Sequence, residues 1–161
     1  MPFTDRVEEM IEKAVRILNT DKNIINDEFT RFNTIYVGNI KKDRVTFELQ
    51  LTLPEIARVM HYDLDRFFQD RYFNFEKTLE YRLWHRENIP DDSAFIGIYE
   101  MDYACHSLEY SMLGIMPRWI PDEYPAYGAP IINEKDDFKN MKVPDFFKDG
   151  FMPRVIEDYH E

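Results

Sequence analysis

The sequence predicts an α/β fold, and three features of its patterning carry that expectation. An amphipathic helical repeat opens the chain, a strictly alternating stretch follows at residues 45–52, and a helix-capping signature begins where the alternation ends. A strand running straight into a helix is the beginning of a βα unit. At 161 residues the chain can hold one domain with a core and is too short for two ordinary ones.

The elements follow in order. Thr4 can cap a first helix in which Val7, Met10, Ile11, Ala14, Val15 and Leu18 recur at helical spacing, opposite Glu8, Glu9, Glu12 and Arg16. Asn19-Thr20-Asp21 ends it. A second short helix is expected over 27–37, burying Phe29, Phe32, Ile35 and Tyr36 and stopping at Gly38. In 45–52, Val45, Phe47, Leu49 and Leu51 share one face, and Thr46, Glu48, Gln50 and Thr52 the other, as in a strand. Thr52-Leu53-Pro54-Glu55 is a capping box that opens a short helix over 54–60. Asp63 then caps a longer helix reaching about Arg86, with Leu64, Phe67, Phe68, Phe75, Leu79 and Leu83 as its apolar stripe. Pro90-Asp91-Asp92 breaks the chain.

Residues 94–99 have the length and apolar character of a strand covered on both faces, closing at Glu100-Met101-Asp102. Another helix is expected over 104–113, stopping at Gly114. Six of the nine prolines then fall between Pro117 and Pro153, where 118–120 and 130–132 are expected to pair as a hairpin. The stretch from Phe151 opens a last helix. Two strands in β-α-β order bury little alone, so the rest of the sheet is expected from another chain or a larger protein. The single domain thus reads as a helical extension (1–40), two βα units (44–113) and a Pro-rich hairpin region with the start of a helix (114–161).

Composition excludes several roles. Lys and Arg number 20 against 31 Asp and Glu, and the net charge of −11 repels nucleic acid and anionic lipid alike. Neither is expected as a partner. Only 5 glycines weigh against Gly-rich phosphate loops. The single cysteine, Cys105, excludes an internal disulfide and a four-thiolate metal site. No apolar run approaches the roughly 18–20 residues of a membrane span, and the acidic N-terminus lacks the apolar core of a secretory signal. The expected compartment is the cytoplasm.

Two stretches carry a family likeness. RFNTIYVGNIKKDRVTF, with its Asp43-Arg44-Val45, resembles the opening of the uroporphyrinogen decarboxylase-like superfamily. The later stretch is the more specific match, through Leu113-Gly114, Gly128 to Ile132, Asp136-Asp137, Val143-Pro144-Asp145 and Met152 to Glu157. The resemblance covers nearly all of the chain past about residue 25 and corresponds to roughly the N-terminal half of a family member. It implies the N-terminal portion of a (β/α)8 TIM barrel, with an N-terminal helical extension and a β-hairpin insertion, and an active site at the C-terminal ends of the strands.

The superfamily includes the tetrapyrrole decarboxylase and methyltransferases that move methyl groups between small substrates, corrinoid proteins and thiol or pterin acceptors. The decarboxylase carries two arginines after its first strand. This chain has Glu48-Leu49-Gln50-Leu51-Thr52 there and no arginine until Arg58, so it stands nearer the corrinoid-linked methyltransferases. The decarboxylase's Asp at the close of the second strand is matched approximately by Glu100 or Asp102. Corrinoid and zinc are implied by the resemblance alone: the methyltransferases' His-x-Cys and later Cys belong to the C-terminal half, and Cys105-His106 is not that motif.

Glu100 and Asp102 share parity at a strand end and are the candidate catalytic carboxylates, for orienting substrate or transferring a proton. The structural alternative is that they cap the next helix. Glu48 and Gln50, beside Thr46, are candidate substrate-binding residues with Tyr103, against the alternative of an edge strand with one wet face. His106 with Asp102 and Glu109 lacks a metal-site spacing, and no metal ligand is assigned. His61, His85 and His160 have no evident partner. Cys105 reads as a small buried residue, and the aromatics Trp84, Trp119, Tyr99, Tyr110, Tyr124 and Tyr127 as core, with some free to line a pocket for a planar ligand.

The function these residues imply is an N-terminal part or subunit of a uroporphyrinogen decarboxylase-like methyltransferase, shaping the substrate side of a pocket. The expected partner is a second chain supplying the rest of the barrel, or another copy of this one, with a corrinoid protein as a further candidate. The alternatives are a non-catalytic half-barrel subunit that supports or regulates a partner chain, and a truncated product.

Overall fold

The computed structural model describes residues 3–37, 47–97 and 108–160. Among them the chain is helical. The long helices are α1 (Asp5–Thr20), α2 (Lys22–Val37) and α5 (Arg71–Asn88); the shorter ones are α3 (Leu53–Met60), α4 (Leu64–Gln69), α6 (Leu108–Met112), α7 (Lys135–Asn140) and α8 (Met152–His160).

Side chains begin most of these helices by meeting backbone N–H groups that have no partner within the helix. Thr4 Oγ1 accepts from Val7 N at 3.4 Å. Glu55 Oε2 reaches back to Thr52, accepting from its N–H and its hydroxyl, each at 2.8 Å. Asp63 Oδ1 accepts from Asp65 N at 2.9 Å and Arg66 N at 3.2 Å. These are the caps expected from the sequence. α2 starts earlier than the expected residue 27, because Asp21, which closes α1, also accepts from Ile25 N at 2.9 Å and so seeds the next helix. Its Phe29 is 47% exposed rather than buried. Gly38 lies outside the described residues.

The long helix expected from Asp63 to Arg86 is two helices. Asp70 is extended (φ −120°, ψ 106°), and its Oδ1 accepts from Tyr72 N at 3.1 Å and Phe73 N at 3.0 Å. A carboxylate that caps the following turn competes with continuing the helix through it. The fully buried Asn74 spans the break, donating from Nδ2 to Phe67 O at 3.1 Å.

Two apolar clusters meet along α5. Ile56, Ala57, Tyr62, Leu64, Phe67 and Phe68 form one, with Phe73, Tyr81 and Trp119 against it. Ala14, Leu79, Leu83 and Phe95 form the other, where α1 lies on α5. Of the expected apolar stripe of the 63–86 region, Leu64, Phe67, Phe68, Leu79 and Leu83 are each no more than 5% exposed although the helix bends, while Phe75 is half-buried. Arg6 of α1 and Glu76 and Glu80 of α5 pair at the edge of this contact.

The α/β barrel portion is overturned. No strand or sheet occurs among the described residues, whose only ladder element is an isolated antiparallel bridge between Arg118 and Ala126. The predicted first strand is described from residue 47 onward, and it is extended without a neighbouring strand. Its backbone groups go instead to side chains, as set out below. Residues 94–97 of the second expected strand likewise have no neighbouring strand among the described residues, and 98–99 lie outside those residues. The expected hairpin between 118–120 and 130–132 is replaced by the closer bridge to Ala126: four prolines from 117 to 130 remove the N–H groups a longer ladder would need.

The C-terminal segment is moored to α6. Ser111, 3% exposed, donates its hydroxyl to Leu108 O at 2.7 Å and accepts from Phe151 N at 2.9 Å. Beside it Gly150 has φ +60°, and a Cβ there would fall 2.3 Å from Ser111 Oγ and 2.5 Å from Met112 N. Both the backbone angle and the space demand glycine.

Two outcomes follow. Gly150→Ala is expected to cost about 3 kcal/mol, combining positive-φ strain with overpacking, and to lower the thermal midpoint accordingly. An unchanged midpoint would contradict the close approach of Gly150 to α6. Among the described residues the buried Tyr62 hydroxyl has no hydrogen-bond partner. Tyr62→Phe is therefore expected to stabilise by about 1 kcal/mol in urea unfolding, whereas a destabilisation would show that the hydroxyl is satisfied.

Candidate functional site

An extended wall, a helix face and a loop enclose a cleft of about 600 Å³, within the usual range for small-molecule sites. Residues 48–51 supply the wall, and the loop around Asp91 and Phe95 lies opposite. The C-terminal half of α5 supplies Tyr81, Arg82, His85 and Arg86, two pairs at i,i+4 spacing that put all four on adjoining strips of one face.

His85 and Asp91 hold the wall in place. His85 Nε2 lies 3.2 Å from Leu49 O and 3.4 Å from Asp91 Oδ2. A carbonyl only accepts, so Nε2 carries the proton in that contact. Asp91 Oδ2 accepts from Leu49 N at 2.9 Å and from the Ser93 hydroxyl at 2.9 Å, while Oδ1 accepts from Ser93 N at 3.0 Å. Next to it, Asp92 Oδ2 accepts from Phe47 N at 3.0 Å, and Asp92 N returns a bond to Phe47 O at 2.8 Å. The backbone groups of the extended stretch, which a neighbouring strand would otherwise satisfy, are thus met by two aspartates and a histidine.

Burial pushes the Asp91 carboxyl upward, but the N–H groups of Leu49 and Ser93, the Ser93 hydroxyl and His85 outweigh it and hold the group below the ordinary carboxylate range. Burial likewise raises the Tyr81 hydroxyl, helped by the negative charge of Asp91. Arg86 is committed to Glu28, whose two carboxylate oxygens each lie 3.0 Å from its Nη1. Arg82 donates to Ile96 O at 3.2 Å.

Of the sequence-predicted site residues, Glu48 and Gln50 are both on the cleft and both exposed. Gln50 Nε2 donates to Glu48 Oε1 at 3.2 Å. Glu100, Asp102 and Tyr103 lie outside the described residues, as do Thr46, Tyr99, Cys105 and His106. Sequence reasoning passed over His85, Arg82 and Asp91. The i,i+4 spacing of Tyr81 and His85 and the paired acids after Pro90 were the available signals. His85 does have partners, contrary to expectation, and they lie 36 and 6 residues away in sequence.

The aromatics divide between core and cleft. Trp119 stacks on Phe68 at 6.0 Å, and the Tyr124 hydroxyl accepts from Leu53 N at 3.2 Å. Tyr81 faces the cleft while stacking on Trp84 at 6.0 Å. Among the described residues no three His, Cys, Asp or Glu groups converge on one point. No described helix is long and apolar enough to cross a membrane. No family model, curated protein or solved structure matches this chain.

The latch has a definite pH signature. Because the folded-state value of Asp91 is depressed, its contribution is complete above the unfolded carboxylate value of about 4 and is lost as pH falls through the folded value. Asp91→Asn is expected to lower stability near neutral pH by about 2 kcal/mol and to flatten the acid limb of a urea-midpoint profile. Parallel profiles for the two proteins would rule out the latch.

Proposed function

We propose that this chain is a part or subunit of a methyltransferase resembling the uroporphyrinogen decarboxylase-like enzymes, and that it binds the substrate. The observation that carries the reading is the placement of Glu48 and Gln50 on the open cleft, beside the aromatic ring of Tyr81. The motif resemblance at Asp43-Arg44-Val45 and from Leu113 to Glu157 supplies the enzyme class. A corrinoid protein as methyl carrier and a cytoplasmic setting belong to the same reading.

The chemistry of the cleft narrows the substrate. Asp91 is saturated by hydrogen bonds, Arg86 is paired with Glu28, and His85 is held between Leu49 and Asp91. Among the described residues Glu48 accepts from the Gln50 amide alone, and it stands exposed. A carboxylate and an amide beside apolar rings suit a small molecule with a cationic or hydrogen-bond-donating group on an apolar body. Because His85 and Asp91 bind backbone, the described cleft holds and orients rather than exchanges protons. That commitment also favours a second reading, a non-catalytic binding subunit.

Benzylamine and benzoate make a matched pair of probes. Benzylamine is expected to bind more tightly, and Glu48→Gln to weaken it about tenfold in calorimetric titration, roughly 1.4 kcal/mol. Tighter binding of benzoate would overturn the cleft assignment. Native mass spectrometry and metal analysis of the protein from its own cells address the enzyme class. A stoichiometric partner with zinc or cobalt, and methyl transfer whose KM rises in Glu48→Gln, would support the methyltransferase. Benzylamine binding without a partner or methyl transfer would leave the binding subunit.

A further inference from the structure

The apolar surface is unevenly distributed. Most of the large apolar side chains exposed among the described residues lie between Tyr110 and Phe147. The densest run is 138–147: Phe138 is 70% exposed, Val143 94%, Phe146 53% and Phe147 70%. Phe146 and Phe147 pack edge to face at 5.2 Å, so they form a preformed aromatic knob rather than two independent side chains.

We infer that this run is an interface between two copies of the chain, related by a two-fold axis. Area and charge choose that occupant. An aromatic side chain brings about 200 Å². At these exposures the three phenylalanines and Val143 leave roughly 500 Å² of apolar surface open within ten residues of chain. Two copies placed together would remove about 1,000 Å², the threshold for a specific interface, before Tyr127, Ile131 and Ile132 are added.

Charge then separates a second copy from a basic partner. The whole chain carries −11, yet residues 135–149 contain four lysines and four aspartates and are neutral. Lys139 pairs with Asp136 at 2.5 Å and Lys148 with Asp145 at 3.0 Å, so these charges are partly satisfied on their own segment. A basic protein would gain nothing at a neutral patch and would be drawn to the acidic remainder. A second copy meets an isologous surface with both signs interspersed, and only the distant acidic bodies repel.

That balance fixes the sign of the salt effect. Added salt screens the repulsion between two −11 bodies and leaves the apolar contact intact, so dimerisation strengthens with salt. Sedimentation over about 1–100 μM is expected to show a monomer–dimer equilibrium that shifts towards dimer between low and high sodium chloride. Phe147→Ser, and separately Val143→Asp, are expected to weaken the dimer at least about tenfold. At concentrations low enough to keep every protein monomeric, their thermal midpoints should match that of the unaltered chain, since both side chains are largely in solvent in the monomer. Val59→Ser, on exposed α3 surface, should leave the equilibrium alone. A chain that is monomeric throughout overturns the proposal, as does a dimer weakened by salt, a dimer indifferent to both substitutions, or a monomer that binds a different protein through this run.

Discussion

Asp70 belongs to two helices at once, and the packing on both sides depends on that double role. Its N–H donates to Arg66 O at 2.9 Å and closes α4; its carboxylate accepts from Tyr72 and Phe73 and opens α5. Arg66 adds an ion pair at 3.2 Å. Continued through this point, one straight helix would carry Phe67 and Phe68 away along its axis. Bent here, it folds them back over Ile56 and Tyr62 while Leu79 and Leu83 still face α1. The buried amide of Asn74 closes the corner by taking the Phe67 carbonyl. An apolar side chain there would leave that carbonyl without this donor.

The cleft rests on the same kind of substitution of side chains for regular backbone partners. An extended stretch with no strand beside it must find donors and acceptors elsewhere. Here Asp91, Asp92 and His85 supply them, and the cost is that these polar groups are no longer free for chemistry. Glu48 and Gln50 bond to each other, not to the backbone, and line the cleft together with Leu49 and Leu51. The depressed Asp91 carboxyl reports that the latch is satisfied in its charged form.

Local signals were legible and non-local ones were not. Thr4, Thr52 with Glu55, and Asp63 act within three residues of themselves, so their spacing alone placed three helix starts. Asp70 has the same chemistry, but it sits inside a run with helical periodicity, and the periodicity hid the break. The alternation of Val45 to Thr52 is a necessary property of a half-buried strand and says nothing about whether a partner strand exists. With none among the described residues, the same alternation describes a single extended wall. Of the five expected site residues, Glu48 and Gln50 line the cleft, and their polarity on an alternating face is visible locally. His85 was missed because its partners lie across the cleft.

The two ends of the molecule answer different physical demands. Around α5 the apolar side chains are spent on an internal core, and the charged ones bridge helices, as Arg86 does to Glu28. From α6 onward, prolines prevent a sheet, and the helices are too short to bury a face against one another. The mooring at Ser111 and Gly150 therefore matters more than its size suggests. It sets the chain direction into α8, whose Met152 is buried and whose Arg154 donates to Gln69 O at the end of α4. Within 114–151, Trp119 and Tyr124 pack on Phe68 of the core. The stretch beyond them, where the helices are short and the prolines prevent a ladder, leaves Phe138, Val143, Phe146 and Phe147 facing outward.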